Sequence, residues 1–208
     1  MTYKDRQVQT FLEELAGSSP TPGGGSAAAL AGAMGAGLIS MVCRLTIGRK
    51  RFADVENEIR DVLEEAEALR IRLTDLADAD SQAFDQVMAA YGLPKETQEQ
   101  GAARQTAIQT ALQNATQVPL ETVRACARVV KLAAQVIAKI NPNALSDAGA
   151  AALLAEAGLR AAQLNVAINL GAIDAPEFVQ ETQEDLHRII AGVNQEKEHV
   201  FAYVLEHV

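Results

Sequence analysis

Residues 26–47 read SAAALAGAMGAGLISMVCRLTI, and the stretch from Ala27 to Cys43 carries no charged side chain. The run is long enough to span a bilayer. Its apolar content is mostly Ala and Gly, which gain little in lipid, and no flanking aromatic belt or second span accompanies it. A helix with no polar stripe must otherwise be covered by protein on every side. The run therefore predicts the buried central helix of an all-α, multihelical domain, ringed by other helices, with no membrane partner. Ala28, Gly32, Ala36 and Ser40 recur at every fourth position. Such a line of small side chains lets another backbone approach closely.

Directly before this run stands SSPTPGGGS, Ser18 to Ser26. Pro20 and Pro22 hold the chain extended, and Gly23, Gly24 and Gly25 open backbone conformations closed to other residues. The helix that follows points unpaired N–H groups and its positive dipole end at the loop. The arrangement suits an anion or a carbonyl, or it is simply a glycine-rich entry into a tightly packed helix. It lacks the Gly-Lys-Ser/Thr ending of a Walker loop, and no strand precedes it as in a dinucleotide fingerprint. If the loop uses positive φ, Gly24→Val abolishes activity, because a β-branched residue resists that conformation.

Outward from this centre the periodicity is helical. Phe52, Ile59, Ala66, Leu73 and Val87 fall on one seven-residue lattice, with Val55, Val62, Leu69, Leu76, Ala83 and Ala90 beside it, predicting one helix over 52–91. Gly92, Leu93 and Pro94 end it. A helix over about 96–116 follows, then another that takes Pro119 into its first turn. Asn141–Pro142–Asn143 breaks the chain. Ser146 is placed as N-cap of a helix over 147–170, and DAPEF opens a last amphipathic helix to the C-terminus.

The 208 residues, 49% hydrophobic and only 4% aromatic, predict a single domain over 1–208 with a core of Ala, Leu, Val and Ile. A net charge of -9 argues against nucleic acid and acidic membranes as partners. The N-terminal MTYKDRQVQTFLEEL is charged where a secretory signal needs an apolar core, and Cys43 and Cys126 suit reduced core thiols, so a cytoplasmic location is expected. His187, His199 and His207 lack the paired spacing of a helical metal motif. Neither a metal nor another cofactor is expected.

Four stretches, SSPTPGGGSAAALAGAMGAGLISMVCRLTIGRK, LADADSQAFDQVMAAYGLPK, VPLETV and SDAGAAALLAEAGLRAAQLNVAINL, resemble in order and spacing the cyclodeaminase/cyclohydrolase family. The resemblance runs from about Val8 to Phe178; Ile140 stands before Asn141 where the family pattern has Gly. It implies a central helix ringed by others, a homodimer and a folate substrate. The implied reaction is hydrolysis of 5,10-methenyltetrahydrofolate to the 10-formyl form, or, as the alternative, ammonia-releasing cyclodeamination of formiminotetrahydrofolate. A non-catalytic helical binding or dimerisation protein on the same scaffold is the third reading.

Either reaction needs a carboxylate or two and hydrogen-bonding amides. The lattice that passes through Leu73 lands on Asp80, whereas Asp78 projects from another side, so Asp80 is expected to face inward, either as general acid or base or as a buried structural acid bonded to a neighbouring helix. Asp147, in the first turn of its helix, either serves the helix dipole or is the partner of Asp80 across the site. Gly23, Gly24, Gly25 and Ser26 are candidate substrate contacts. Asn165 and Asn169 share one helix face and bind either a ligand or a neighbouring helix. Ser146 and Asn141 are further candidates near Asp147. Arg49 and Lys50 are placed to hold a folate glutamate tail, including a polyglutamate, or to finish a solvated helix end. Lys95 is a second tail candidate carried by the family match.

Overall fold

The structure, a computed structural model, describes residues 2–208. Its α-helices are α1 (Val8–Leu15), α2 (Gly24–Thr46), α3 (Glu56–Tyr91), α4 (Gln98–Val136), α5 (Leu145–Leu170), α6 (Pro176–Ile190) and α7 (Val193–His207). Short 3-10 turns at Tyr3–Asp5, Lys50–Val55 and Pro142–Ala144 join them, and no strand occurs among the described residues.

The charge-free run is α2, and its small residues decide what surrounds it. It lies between α3 and α5, with α4 packed behind. A Cβ on Gly158 of α5 would come 2.6 Å from the Ala28 carbonyl oxygen, and one on Gly35 would come 2.8 Å from the carbonyl of Ala151. The two backbones are therefore closer than any side chain permits, and the pairing 28 with 158, 35 with 151 makes them antiparallel. Gly32 receives the Cys126 sulfur of α4, which would sit 2.4 Å from an added Cβ. The fully buried Ile39, Ile59, Leu73, Leu132 and Leu159 complete the core. Each contributes about 1.5–3 kcal/mol of burial. Helix α2 is long and apolar enough to cross a membrane, but most of its apolar window is covered by the other helices.

Four element boundaries differ from the sequence expectation. Phe52 lies in the 3-10 turn, so α3 begins at Glu56. Ser146 is the second residue of α5 rather than its cap; Ala144 holds that position without a side-chain bond. The C-terminal helix is split at Gly192, whose φ of +82° needs a residue without a Cβ. Helix α4 runs straight through Pro119. Proline removes the N–H that would bond the carbonyl four residues earlier, that of Ala115. Here Nδ2 of Asn169, on α5, donates to that carbonyl at 3.2 Å, so the carbonyl is satisfied across the interface and the helix continues.

This substitution of a side-chain donor for a backbone donor is testable. Asn169→Ala leaves a carbonyl of the buried Ala115 unpaired and should cost about 1–3 kcal/mol in urea unfolding. Adding Pro119→Ala restores a backbone N–H at the right place, so the double variant should recover part of that loss. Simple additivity of the two costs would show that Asn169 does not serve this carbonyl.

Candidate active site

A cleft of about 250 Å³ opens where the glycine-rich loop meets α3, α4 and α5. The loop supplies Pro20, Thr21 and Gly23; the first turn of α2 supplies Gly24 and Gly25; α3 supplies Asp80, Ala83, Phe84 and Val87; α4 supplies Ala115 and Pro119; α5 supplies Asn165 and Asn169. Asp80 is the one ionisable side chain among them. It continues the buried stripe Ile59, Ala66, Leu73 of α3, and Val87, one heptad on, lines the same cleft. Asp78 is turned away, its Oδ1 accepting the Tyr3 backbone N–H at 2.7 Å.

The carboxylate of Asp80 sits against the first turn of α2. A Cβ on Gly25 would meet Oδ1 at 2.0 Å and Cγ at 2.4 Å, so the glycine makes room for the acid. The Ser26 hydroxyl donates to Oδ2 at 3.1 Å. Burial pushes the Asp80 carboxyl above its ordinary value, while the Ser26 hydroxyl and backbone N–H pull in the opposite direction; burial is the larger effect. The result is a carboxylate primed to accept a proton.

The loop works differently from the sequence expectation. None of its glycines has positive φ. Gly23 is extended at φ -124°, and Gly24 begins α2, where an added Cβ meets nothing within 4 Å. The expected failure of Gly24→Val on grounds of positive φ is thus corrected: the steric requirement falls on Gly25, and its cause is Asp80.

Both asparagines reach the cleft. Asn165 donates through Nδ2 to the Ala161 carbonyl at 3.3 Å and Asn169 to that of Ala115 at 3.2 Å. Each amide is thereby held through its Nδ2. Phe84 and Val87 were legible as the i+4 and i+7 neighbours of Asp80 on one helix face. Pro119 was misread as a helix start.

The remaining candidates lie elsewhere. Asp147 is one turn before Ala151, which packs on Gly35, whereas Asp80 bonds Ser26 at the start of α2; roughly three and a half turns of helix separate their levels. Asp147 is therefore not a partner of Asp80 within one chain, and the antiparallel run of α2 and α5 is the reason. Ser146 is exposed beside it. Asn141 is engaged in structural bonds: its N–H donates to Thr46 Oγ1 at 3.0 Å, its Nδ2 to the Leu45 carbonyl at 3.3 Å, and its Oδ1 accepts from the Asn143 N–H at 3.2 Å. It ties the Pro142–Ala144 turn to the far end of α2. Arg49 and Lys50 are exposed at that same far end, remote from the cleft. Lys95 is exposed in the turn between α3 and α4, beyond Val87. Burial pushes the thiol of Cys43 up to about 11 and that of Cys126 to about 12, so neither is a nucleophile near neutral pH.

Fold and cleft define a class: an all-helical domain with one partly buried carboxylate, framed by glycines and amides, in a cleft. The chain belongs to the formiminotransferase-cyclodeaminase family, whose model matches residues 7–188. It is 50% identical over 197 residues to a methenyltetrahydrofolate cyclohydrolase of Methylorubrum extorquens, covering 95% of each chain. It is 34% identical over 193 residues to the formimidoyltransferase-cyclodeaminase of Rattus norvegicus, covering 93% of this chain and 35% of that longer protein. The crystal structure of a formiminotetrahydrofolate cyclodeaminase from Thermotoga maritima superposes with a TM-score of 0.88 at 30% identity, covering 98% of each chain.

Proposed function

We propose that this chain is an enzyme that hydrolyses 5,10-methenyltetrahydrofolate to 10-formyltetrahydrofolate. The observation that carries the reading is the solitary, half-desolvated Asp80 in a cleft otherwise built from glycine, proline, apolar groups and amides. The substrate is an amidinium cation, and an anionic Asp80 in a drying cleft attracts it more strongly than water would. The 50% identity to a methenyltetrahydrofolate cyclohydrolase supports the same choice.

One carboxylate suffices for the proton accounting. Asp80 takes a proton from water as its oxygen adds to the carbon between the two folate nitrogens. It returns that proton to one nitrogen as its bond to the carbon breaks. The hydroxyl proton of the intermediate passes to solvent as the formyl carbonyl forms. The Oδ1 atoms of Asn165 and Asn169 accept N–H groups of the pterin and fix its orientation.

Phe84, Met88 and Tyr91 form an exposed apolar stripe on α3 that leaves the cleft in the direction of Lys95. In this reading the stripe carries the aromatic linker of the folate, and Lys95 meets its glutamate carboxylates. The chain acts as a homodimer. Met34, Met41 and Leu45 of α2, and Leu153, Leu164 and Ile168 of α5, stay exposed, and because α4 backs both helices their open sides lie together. A second copy covers that face.

Purified protein should be offered both 5,10-methenyl- and 5-formiminotetrahydrofolate, with light scattering on the same sample. Loss of methenyl absorbance by a dimer is the expected result. A gain of that absorbance with ammonia release would assign the cyclodeaminase reaction instead. No turnover of either folate would overturn the enzymatic reading and leave a binding or dimerisation protein, while a monomer at micromolar concentration would remove the dimer.

A further inference from the structure

Behind Asp80, on the side away from the cleft, lies a row of hydroxyls contributed by three separate segments. The Ser26 hydroxyl of α2 is within reach of two acceptors, Oδ2 of Asp80 at 3.1 Å and the Ala77 carbonyl at 2.8 Å. Ser26 Oγ is also 3.3 Å from Ser81 Oγ, and Ser81 Oγ is 2.7 Å from the Tyr3 hydroxyl. Ser26 and Ser81 are buried, and Tyr3 is partly exposed.

Each hydroxyl owns one hydrogen, which fixes the polarity of the row. An ionised Asp80 can only accept, so Ser26 spends its hydrogen on the carboxylate. Ser81 must then donate to Ser26, and Tyr3 to Ser81. We propose that Tyr3 is a positioning residue for Asp80, the outer end of a hydroxyl chain Tyr3–Ser81–Ser26 that aims a single hydrogen at the carboxylate from behind the cleft. When Asp80 takes up a proton, the Ser26 hydrogen swings to the Ala77 carbonyl. The chain thus has two settings, matched to the two protonation states that acid–base catalysis needs. The proposal rests on Asp80 being the proton-transfer group of this site.

Tyr3 is held for this role. Its backbone N–H donates to Asp78, its ring meets Phe11 edge-on at 5.4 Å between centroids, and the Arg6 guanidinium lies 5.0 Å over its face. The 3-10 turn that carries it is further tied by the ion pair of Lys4 with Asp75 at 3.0 Å. The charged side chains of the elements behind Asp80 are Lys4, Asp5 and Arg6 of this turn and Asp75 and Asp78 of α3, which bond the turn, and none of them contributes to the raised Asp80 value. The loop, α4 and α5 present none to the cleft, and α2 presents only its N-terminal dipole end.

Cooperative strengthening of about 10–30% in a charge-assisted bond corresponds to a shift of roughly 0.1–0.7 pH unit in the group it serves. The test follows the Asp80 carboxyl by carbon NMR in protein labelled at aspartate, assigned by its loss in Asp80→Asn. Tyr3→Phe keeps the ring, its packing and the backbone bond, and removes only the hydroxyl. The Asp80 titration should move upward by that amount, and the acid limb of kcat/KM should move with it. Ser81→Ala, which breaks the chain at its middle and leaves the backbone bond, the ring packing and the ion pair of the N-terminal turn in place, should shift it at least as far. The double variant should shift no further than Ser81→Ala, because Tyr3 reaches Asp80 only through Ser81. An unchanged titration in Tyr3→Phe, or shifts that add, would overturn the proposal. Because the titration is read without substrate, a shifted Asp80 in a protein that turns over neither folate would keep the chain and discard the proposed activity.

Discussion

Asp80→Asn is expected to lower turnover by ~10²-fold or more while leaving the fold intact. The asparagine oxygen still accepts from the Ser26 hydroxyl and backbone N–H, so the first turn of α2 stays in place. What disappears is the one group lining the cleft that can take a proton from water and return it. Stability separates this outcome from simple damage. A carboxyl whose folded pKa is raised contributes its full stability below the unfolded value and loses it as pH rises through the folded value. Above that value the buried anion is a cost. Asp80→Asn should therefore unfold no more easily than the parent at neutral pH, and its stability should depend less on pH just above the ordinary carboxylate range. Near-normal turnover in Asp80→Asn, with loss in Asp78→Asn, would exchange their roles.

Gly25→Ala should be nearly as severe for turnover, at least tenfold, from a single methyl group. That methyl would lie 2.0 Å from Oδ1 of Asp80, well inside van der Waals contact. Asp80 must rotate out of the cleft or the start of α2 must move. A short carboxylate side chain yields more easily than a buried helix, so the loss should fall mainly on activity, with about 1–3 kcal/mol taken from stability. Gly24→Ala is the comparison, since its methyl meets no atom within 4 Å and leaves Asp80 where it is. Turnover measured beside urea unfolding for the two variants checks this. Equal losses would show that the loop as a whole, rather than the Gly25–Asp80 contact, matters.

The approach of Gly25 to Asp80 was legible from one side only. The seven-residue lattice of α3 turned Asp80 inward and Asp78 away, because helical periodicity is a property of the local chain. The glycines before α2 marked a close approach, but nothing local names what approaches. The same limit explains Asp147: it shares a helix with Asn165 and Asn169, and only the antiparallel packing of α5 on α2 shows that it lies at the opposite end. Arg49, Lys50 and Asn141 lie at that end too, carried there by the length of α2.

Pro119 shows the converse. Read locally, a proline marks a helix start, since it cannot donate to the carbonyl of Ala115; Asn169, fifty residues further on, supplies the missing donor. Tyr3 left no signal in the sequence, because a hydroxyl becomes part of a chain only when another segment brings an acceptor to it.

The sequence by itself determined the all-α class, the charge-free central helix, the stripe of small residues that lets α5 approach it, and the inward face of Asp80. These follow from periodicity and side-chain size, which act within a few residues. Tertiary structure alone decided which candidates meet. It joined Gly25, Asp80, Asn165 and Asn169 in one cleft, set Asp147 at the other end of α5, continued α4 through Pro119 and linked Tyr3 to Asp80. Each of those depends on contacts between segments far apart in the chain, set by how close the glycines allow the helix backbones to pack.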